Sequence, residues 1–272
     1  MVAGGWKVKY DGVCSRCGIA LLAGDTAVFD RQTRSIHCVV CPSETPSIEP
    51  QPIDTGIAGA SARREYEWRK TAREDRIRSR FGDRFGGVVL ALTDDPQSTR
   101  AWATGARGEE KLAEALKGID GLGALHDRRV PGTRGNIDHI LIAPAGVFVV
   151  DAKRYDGRIE IRNKGNLVRP DHRLYVGRRD CSALADGLTW QVEAVASALL
   201  AAGVDPLPQI TPVLCFIDGD WPLISRPGSF RGVRLEEPKS IRKVATATAV
   251  LDADEADALV RILSVALAAK HP

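Results

Sequence analysis

No stretch of the 272-residue sequence approaches the roughly 20 consecutive apolar residues of a membrane-spanning helix. The first 30 residues hold no apolar run beyond Ile19 to Ala23, too little for a secretory core, and a cytoplasmic protein with no membrane association is expected. No phosphate-cradling GxxxxGK(S/T) loop occurs, Gly118 to Gly123 does not match a dinucleotide fingerprint, and no Ser/His/Asp set is signalled. There is no internal repeat. The six cysteines do not form the framework of a small secreted disulfide protein: they fall as two close pairs, Cys14/Cys17 and Cys38/Cys41, plus scattered Cys181 and Cys215, read as buried small hydrophobes. Strong charge of one sign is lacking too. The net charge is only +3, so any affinity for nucleic acid must come from where the cations sit.

What is present is ordinary globular composition, 44% hydrophobic and 27% charged, distributed unevenly. Residues 1–41 carry the cysteine pairs. Residues 42–61 read as a linker, because Pro42, Pro46, Pro50 and Pro52 fall among Ser, Thr and Gly. Residues 62–104 form a charged connector whose first part, 62–84, has nine Lys or Arg against five acids and reads as a solvated helix. Residues 105–272 alternate helical and strand signals, an α/β pattern. Helices are expected at 106–117, 183–202 and 254–270, and strands at 124–130, 137–143, 147–154, 210–217 and 232–236. Asp252 and Glu255 have capping-box spacing before the last helix.

Cys14-x2-Cys17 and Cys38-x2-Cys41 are 20 residues apart, the spacing of two thiolate knuckles closing a tetrahedral Zn²⁺ site across a hairpin at 25–38. Such an ion supplies folding energy that a unit this small cannot draw from a core. Four thiolates leave no open coordination position, so this zinc would be structural; His37 is a competing ligand.

The acids that suggest chemistry lie elsewhere. Glu109 shares a helix face with Leu112, Ala113 and Leu116, whereas Glu110 groups with Glu114 and Lys117. A carboxylate on an apolar face is costly unless paired or metal-bound. Two apolar strands follow, separated by Pro144-Ala145. If those residues make the turn, Ala143 opposes Gly146, Ile142 opposes Val147, Ile140 opposes Val149 and Asp138 opposes Asp151. Opposed carboxylates repel unless something neutralises them. A divalent cation, Mg²⁺ or Mn²⁺, would do so, with Lys153 beside it to orient water and stabilise charge on a phosphate. Lys153 could instead neutralise Asp151 in a plain ion pair at the sheet end. Gln191 falls on the buried stripe of the long helix with Leu184, Leu188, Val195 and Leu199, as a core polar group or one that orients water or a phosphate. His139 alternates away from Asp138 and reads as structural.

Gly-x-x-Gly-Glu109, Ile-Asp138-His and Gly-Val-Phe-Val-Val-Asp151-x-Lys153 together resemble the nuclease-related domain family, NERD, of the PD-(D/E)xK restriction-endonuclease-like superfamily, over about Gly105 to Ile217. Ile137 stands where the superfamily's namesake has proline. The resemblance implies a mixed central sheet flanked by helices, and site residues Glu109, Asp138, Asp151, Lys153 and Gln191. The expected function is metal-dependent phosphodiester hydrolysis of nucleic acid, with DNA favoured because residues 153–180 carry nine Lys or Arg against four acids. The alternative is a non-catalytic nucleic-acid-binding or partner-binding protein. The zinc module, zinc-ribbon-like in its spacing, lies outside the resemblance.

Overall fold

Tight turns and short strands dominate the N-terminal region of the protein, where there are too few apolar residues for a conventional core. The structure is a computed structural model and describes residues 6–15, 17–30, 34–39, 52–247 and 249–270. Its contacts divide the chain into Met1–Pro52 and Ile53–Pro272. In the first unit, β1 (Trp6–Lys7), β4 (Thr26–Asp30) and β5 (Ser35–Cys38) form one sheet, while β2 (Gly12–Val13) and β3 (Ala20–Leu21) pair separately. β4 and β5 are the hairpin expected at 25–38, in a register that sets Ala27 opposite Cys38. Among the described residues of this unit, Val8, Cys14, Leu21, Ala27 and Cys38 are the buried ones.

The second unit opens with two helices, α1 (Ala60–Leu92) and α2 (Gln97–Leu116), which pack on each other. Both exceed expectation. α1 continues past 84 across a non-helical Gly82, and α2 begins nine residues before Ala106 because its exposed first turns carry no apolar stripe to announce them. Strands β6 (Gly123–Arg129), β7 (Asn136–Ala143) and β8 (Gly146–Arg154) follow as a meander. A small sheet of β9 (Ile159–Asn163), β10 (His172–Val176) and β11 (Arg179–Asp180) then precedes α3 (Ser182–Asp186) and α4 (Thr189–Ala201). The single helix expected at 183–202 is thus broken at Gly187. The chain closes with β12 (Ile210–Ile217), β13 (Ser229–Phe230), β14 (Val233–Glu236), α5 (Pro238–Ala245) and α6 (Ala253–Ala266). The Asp252/Glu255 capping box is present at the start of α6.

The central sheet is mixed, ordered β13-β14-β12-β8-β7-β6, with β12 parallel to both β8 and β14 and the other pairs antiparallel. The β7–β8 register is the one counted from Pro144-Ala145: Ala143 opposes Gly146, Ile142 opposes Val147 and Ile140 opposes Val149. Alternation sends Ile140, Ile142, Val147 and Val149 to one face, where α4 and α6 contribute Val195, Leu199, Leu259 and Leu263. It sends Leu141, Phe148 and Val150 to the other, under Leu112 and Leu116 of α2 and Ile241 of α5. Each such side chain contributes roughly 2 kcal/mol by leaving water, so both faces of the hairpin are firmly covered. Cys181 and Cys215 are buried, as expected of small hydrophobes.

The largest fully buried side chain is Arg128 on β6. Its guanidinium donates to the carbonyls of Leu267, Ser264 and Asp54, so it satisfies the end of α6 and the segment before α1 together. No helix among the described residues is long and apolar enough to cross a membrane.

Candidate functional site

A cleft of about 660 Å³ opens where β7 and β8 leave their ladder, lined by Glu109, Asp138, Lys153, Arg154 and Tyr155 among others. The ladder ends at His139 opposite Val150, so Asp138 and Asp151 are the next residues outward on their strands. Lys153 lies two residues past Asp151, on the same side of β8. Its ammonium forms an ion pair with Asp151 and sits 3.7 Å from Asp138 Oδ2.

The electrostatics follow from crowding three acids around one lysine. Burial, then Asp151 and Glu109, push the Asp138 carboxyl well above the usual carboxylate range, with Lys153 opposing. Burial lifts Glu109 to about 7, against the pull of the Gly59 amide and Lys153. Burial works against the Lys153 charge, yet Asp151 and Asp138 hold its ammonium above the ordinary lysine range. Lys153 therefore stays charged at neutral pH.

Glu109 reaches this cleft from a different direction. It is 8% exposed, on α2, the helix that covers the opposite sheet face from Val147 and Val149. Its Oε2 accepts a 3.0 Å hydrogen bond from the backbone amide of Gly59, at the start of α1. Gly59 has φ 74° and lies against α2 so closely that a Cβ there would stand 2.8 Å from the Ala106 carbonyl, so the bond requires glycine. Glu109, Asp138 and Asp151 do not bring one oxygen each within 4.8 Å of the others, as a closed metal cage would; among the described residues only Cys14, Cys17 and Cys38 cluster that tightly. The donor chemistry suits Mg²⁺ or Mn²⁺, which take carboxylate oxygens, because three acids gather around a single lysine.

Gln191 is buried on α4 with Val195 and Leu199, outside the residues that line the cleft. Its Oε1 has no hydrogen-bond partner. His139 is fully buried, and its Nδ1 lies 2.8 Å from Nδ1 of His126, so one ring donates to the other. Burial lowers both imidazoles, His126 to about 4, with Arg128 adding to the effect there.

One acid of this region has no counterpart in the sequence reading. Asp127, 1% exposed with φ 48°, accepts from the Ser61 amide, the Ser61 hydroxyl, Arg64 and the Asn136 side-chain amide. It sits at the positive end of α1 and fixes the helix start that delivers the Gly59 amide to Glu109. In sequence it looks like one more charge in His126-Asp-Arg-Arg129.

Beside the cleft, the β9–β10–β11 sheet carries the basic segment. Arg162 and Lys164 lie over the Tyr175 ring, and Arg179 lies 4.6 Å from the Tyr155 centroid. Arg162 and Arg173 pair with Glu160, Asp171 and Asp180, so part of the segment's charge is neutralised within it.

In the N-terminal unit, Cys14, Cys17 and Cys38 place their sulfurs within 4.8 Å of one another. The Cys17 to Cys38 separation of 3.8 Å equals the edge of a tetrahedron with about 2.3 Å Zn–S bonds. Cys41 lies outside the described residues. The ring of His37 contacts the Ser35 hydroxyl at 3.0 Å.

Residues 104–217 match the family described as nuclease-related domain, NERD. Neither the curated proteins nor the solved structures yielded a match.

Proposed function

We propose that this chain, whose residues 104–217 match the nuclease-related domain, hydrolyses phosphodiester bonds of nucleic acid, DNA in the first instance, in the cleft lined by Asp138 and Lys153, with Asp151 paired to that lysine. The observation that carries this reading is that two strand-end aspartates share one lysine, and that Asp138, Lys153 and Glu109 line one open cleft with the buried Asp151 behind them. Asp138 and Asp151, with Glu109, would hold Mg²⁺ or Mn²⁺. Such an ion, when bound, polarises the phosphate and lowers the pKa of water.

The chain's own groups supply the rest. Lys153 keeps its proton, so it serves as a fixed positive charge facing the developing phosphate charge and not as a base. Glu109 cannot swing freely, because the Gly59 amide holds one oxygen; the other is left to act. Arg154 and Arg179, also in the lining, give the neighbouring phosphates positive partners. The N-terminal cysteines would hold one structural Zn²⁺, with Cys41 as the fourth ligand to Cys14, Cys17 and Cys38.

A second reading has its own support. The Lys153–Asp151 pair and the separation of Glu109 from the aspartates also suit a nuclease fold that binds nucleic acid without cutting it. Purified full-length protein incubated with single-stranded DNA, duplex DNA and RNA, in Mg²⁺, Mn²⁺ or EDTA, tests the proposal. Cleavage in metal that EDTA and Asp151→Asn both abolish is expected. Binding without cleavage in every metal would leave the second reading.

A further inference from the structure

The cleft that holds the acids also holds an aromatic surface that hydrolysis does not use. Gln97, Arg100 and Trp102, on the first turns of α2, line it together with Glu109 and Lys153. These residues precede the matched segment, which starts at 104.

Trp102 belongs to neither core cluster of the second unit and remains 40% exposed. The Arg69 guanidinium lies 5.7 Å from its ring centroid, which steadies the indole. Trp102 and Glu109 are seven residues apart on one helix, roughly 10 Å along its axis. Arg100, Arg154 and Arg179 flank the same opening. A planar ring beside a row of cations, next to a candidate phosphate-cutting site, is the arrangement that binds unpaired strands: the cations follow the backbone and bases stack on the ring. A base inside a continuous duplex is already covered on both faces and has none to offer.

We propose that Trp102 is the stacking platform for an unpaired base, so that the cleft takes single-stranded DNA, with a base on the indole while a phosphate of the same strand faces Asp138, Asp151 and Lys153. This deepens the reading above and rests on it for the strand's place. The consequence is selection by strand form and not by sequence, since every base has a face to stack.

The test is binding in buffer without added Mg²⁺ or Mn²⁺, where metal-dependent hydrolysis does not run and any zinc held by the N-terminal cysteines stays in place. Fluorescence anisotropy of the full chain is measured with a short labelled DNA strand, the same strand annealed to its complement, and an abasic strand of equal length. The single strand should bind more tightly than either of the others. Trp102→Ala should weaken single-strand binding by roughly 5- to 100-fold and leave the abasic strand almost unaffected, while Trp102→Phe should retain most of the affinity. Because the abasic comparison uses the unaltered protein, it decides the matter even if the alanine variant folds poorly. Equal binding of the abasic and natural strands, duplex binding as tight as single-strand binding, or no binding to any of them overturns the proposal. A failure of metal-dependent cleavage alone would remove the hydrolytic reading and leave this binding pattern to stand.

Discussion

The cysteine cluster and the carboxylate cleft are two candidate ion sites of opposite construction. Cys14, Cys17 and Cys38 meet across two short hairpins, and among the described residues only Val8, Leu21 and Ala27 are buried around them. The carboxylates sit in a unit with two covered sheet faces, on three separate elements, and Glu109 is held by a group far off in sequence, the amide of Gly59, fifty residues away. A donor set made from neighbours depends on its ion for structure. A donor set made by the fold keeps its structure and depends on the ion only for neutrality.

The largest effect should separate the two directly. Cys14→Ser, or a strong chelator, should unfold the N-terminal unit, since structural Zn²⁺ carries on the order of 10 kcal/mol of apparent binding energy in such small modules. Two-dimensional NMR should then show collapse of the signals from 6–39 with those of the second unit unmoved. Absence of zinc from protein purified without chelators, or retained dispersion in Cys14→Ser, would count against a metal-built module.

Within the second unit, the greatest loss should come from an acid that holds no ion. Asp127→Asn removes a buried charge bonded to Ser61, Arg64 and Asn136 and should cost about 3 kcal/mol. Denaturant melts in EDTA and in Mn²⁺ should show the same loss. A variant as stable as wild type would mean that the start of α1 is fixed by other contacts.

Glu109 gives a smaller, pH-dependent effect. Its folded carboxyl titrates near 7 against 4.5 for an ordinary glutamate, so folding favours the protonated form. Its contribution is fully present below 4.5 and is lost as pH rises through 7, on the order of 2 kcal/mol. His126, lowered to about 4 from 6.5, acts in the reverse sense: its contribution is present above 6.5 and lost as pH falls through 4. The difference between wild type and Glu109→Gln isolates the first slope. Equal pH dependence of the two proteins in EDTA would falsify it. Millimolar Mn²⁺ should flatten the slope, because the ion replaces the proton.

The smallest shift is expected at Asp138. Replacement by Asn relieves crowding with Asp151 and Glu109, so the metal-free variant should match wild type or exceed it by a few tenths to about 1 kcal/mol. In Mg²⁺ or Mn²⁺ the order should invert, as wild type gains stability by mass action. Melting that ignores metal, together with a variant destabilised equally in both buffers, would make Asp138 a structural hydrogen-bonding residue.

What could be read beforehand follows the same division. The β7–β8 register could be counted from the two-residue turn, because alternation leaves one way to bury Ile140, Ile142, Val147 and Val149 together. The β4–β5 hairpin was marked by its flanking cysteine pairs, and β12 by an apolar run at 210–217. The first turns of α2 were not legible, since Gln97 to Gly105 present no apolar stripe and Gly105, a poor helix former, stands just before the apolar face begins at Ala106. Nor could Asp127 be distinguished from any charged strand residue: its left-handed φ and its partners at the start of α1 are properties of the assembled fold. Trp102 was hidden for the same reason, because what sets it apart is the cleft it faces.

Arg128 carries a consequence for how the second unit breathes. Segments at the margins of a domain ordinarily fray at little expense, and their amides exchange with solvent long before the core opens. Here one buried guanidinium donates to Asp54 on one side and to Ser264 and Leu267 on the other. Peeling either segment away strips partners from a charge that cannot reach water, a loss of the several kcal/mol that accompanies breaking a buried ion's contacts. The amides of His126 and Arg129, bonded to Thr55 and Ala268, should therefore exchange only at the rate of global unfolding. Substituting Arg128 with methionine would uncouple the two margins and let each open on its own timescale.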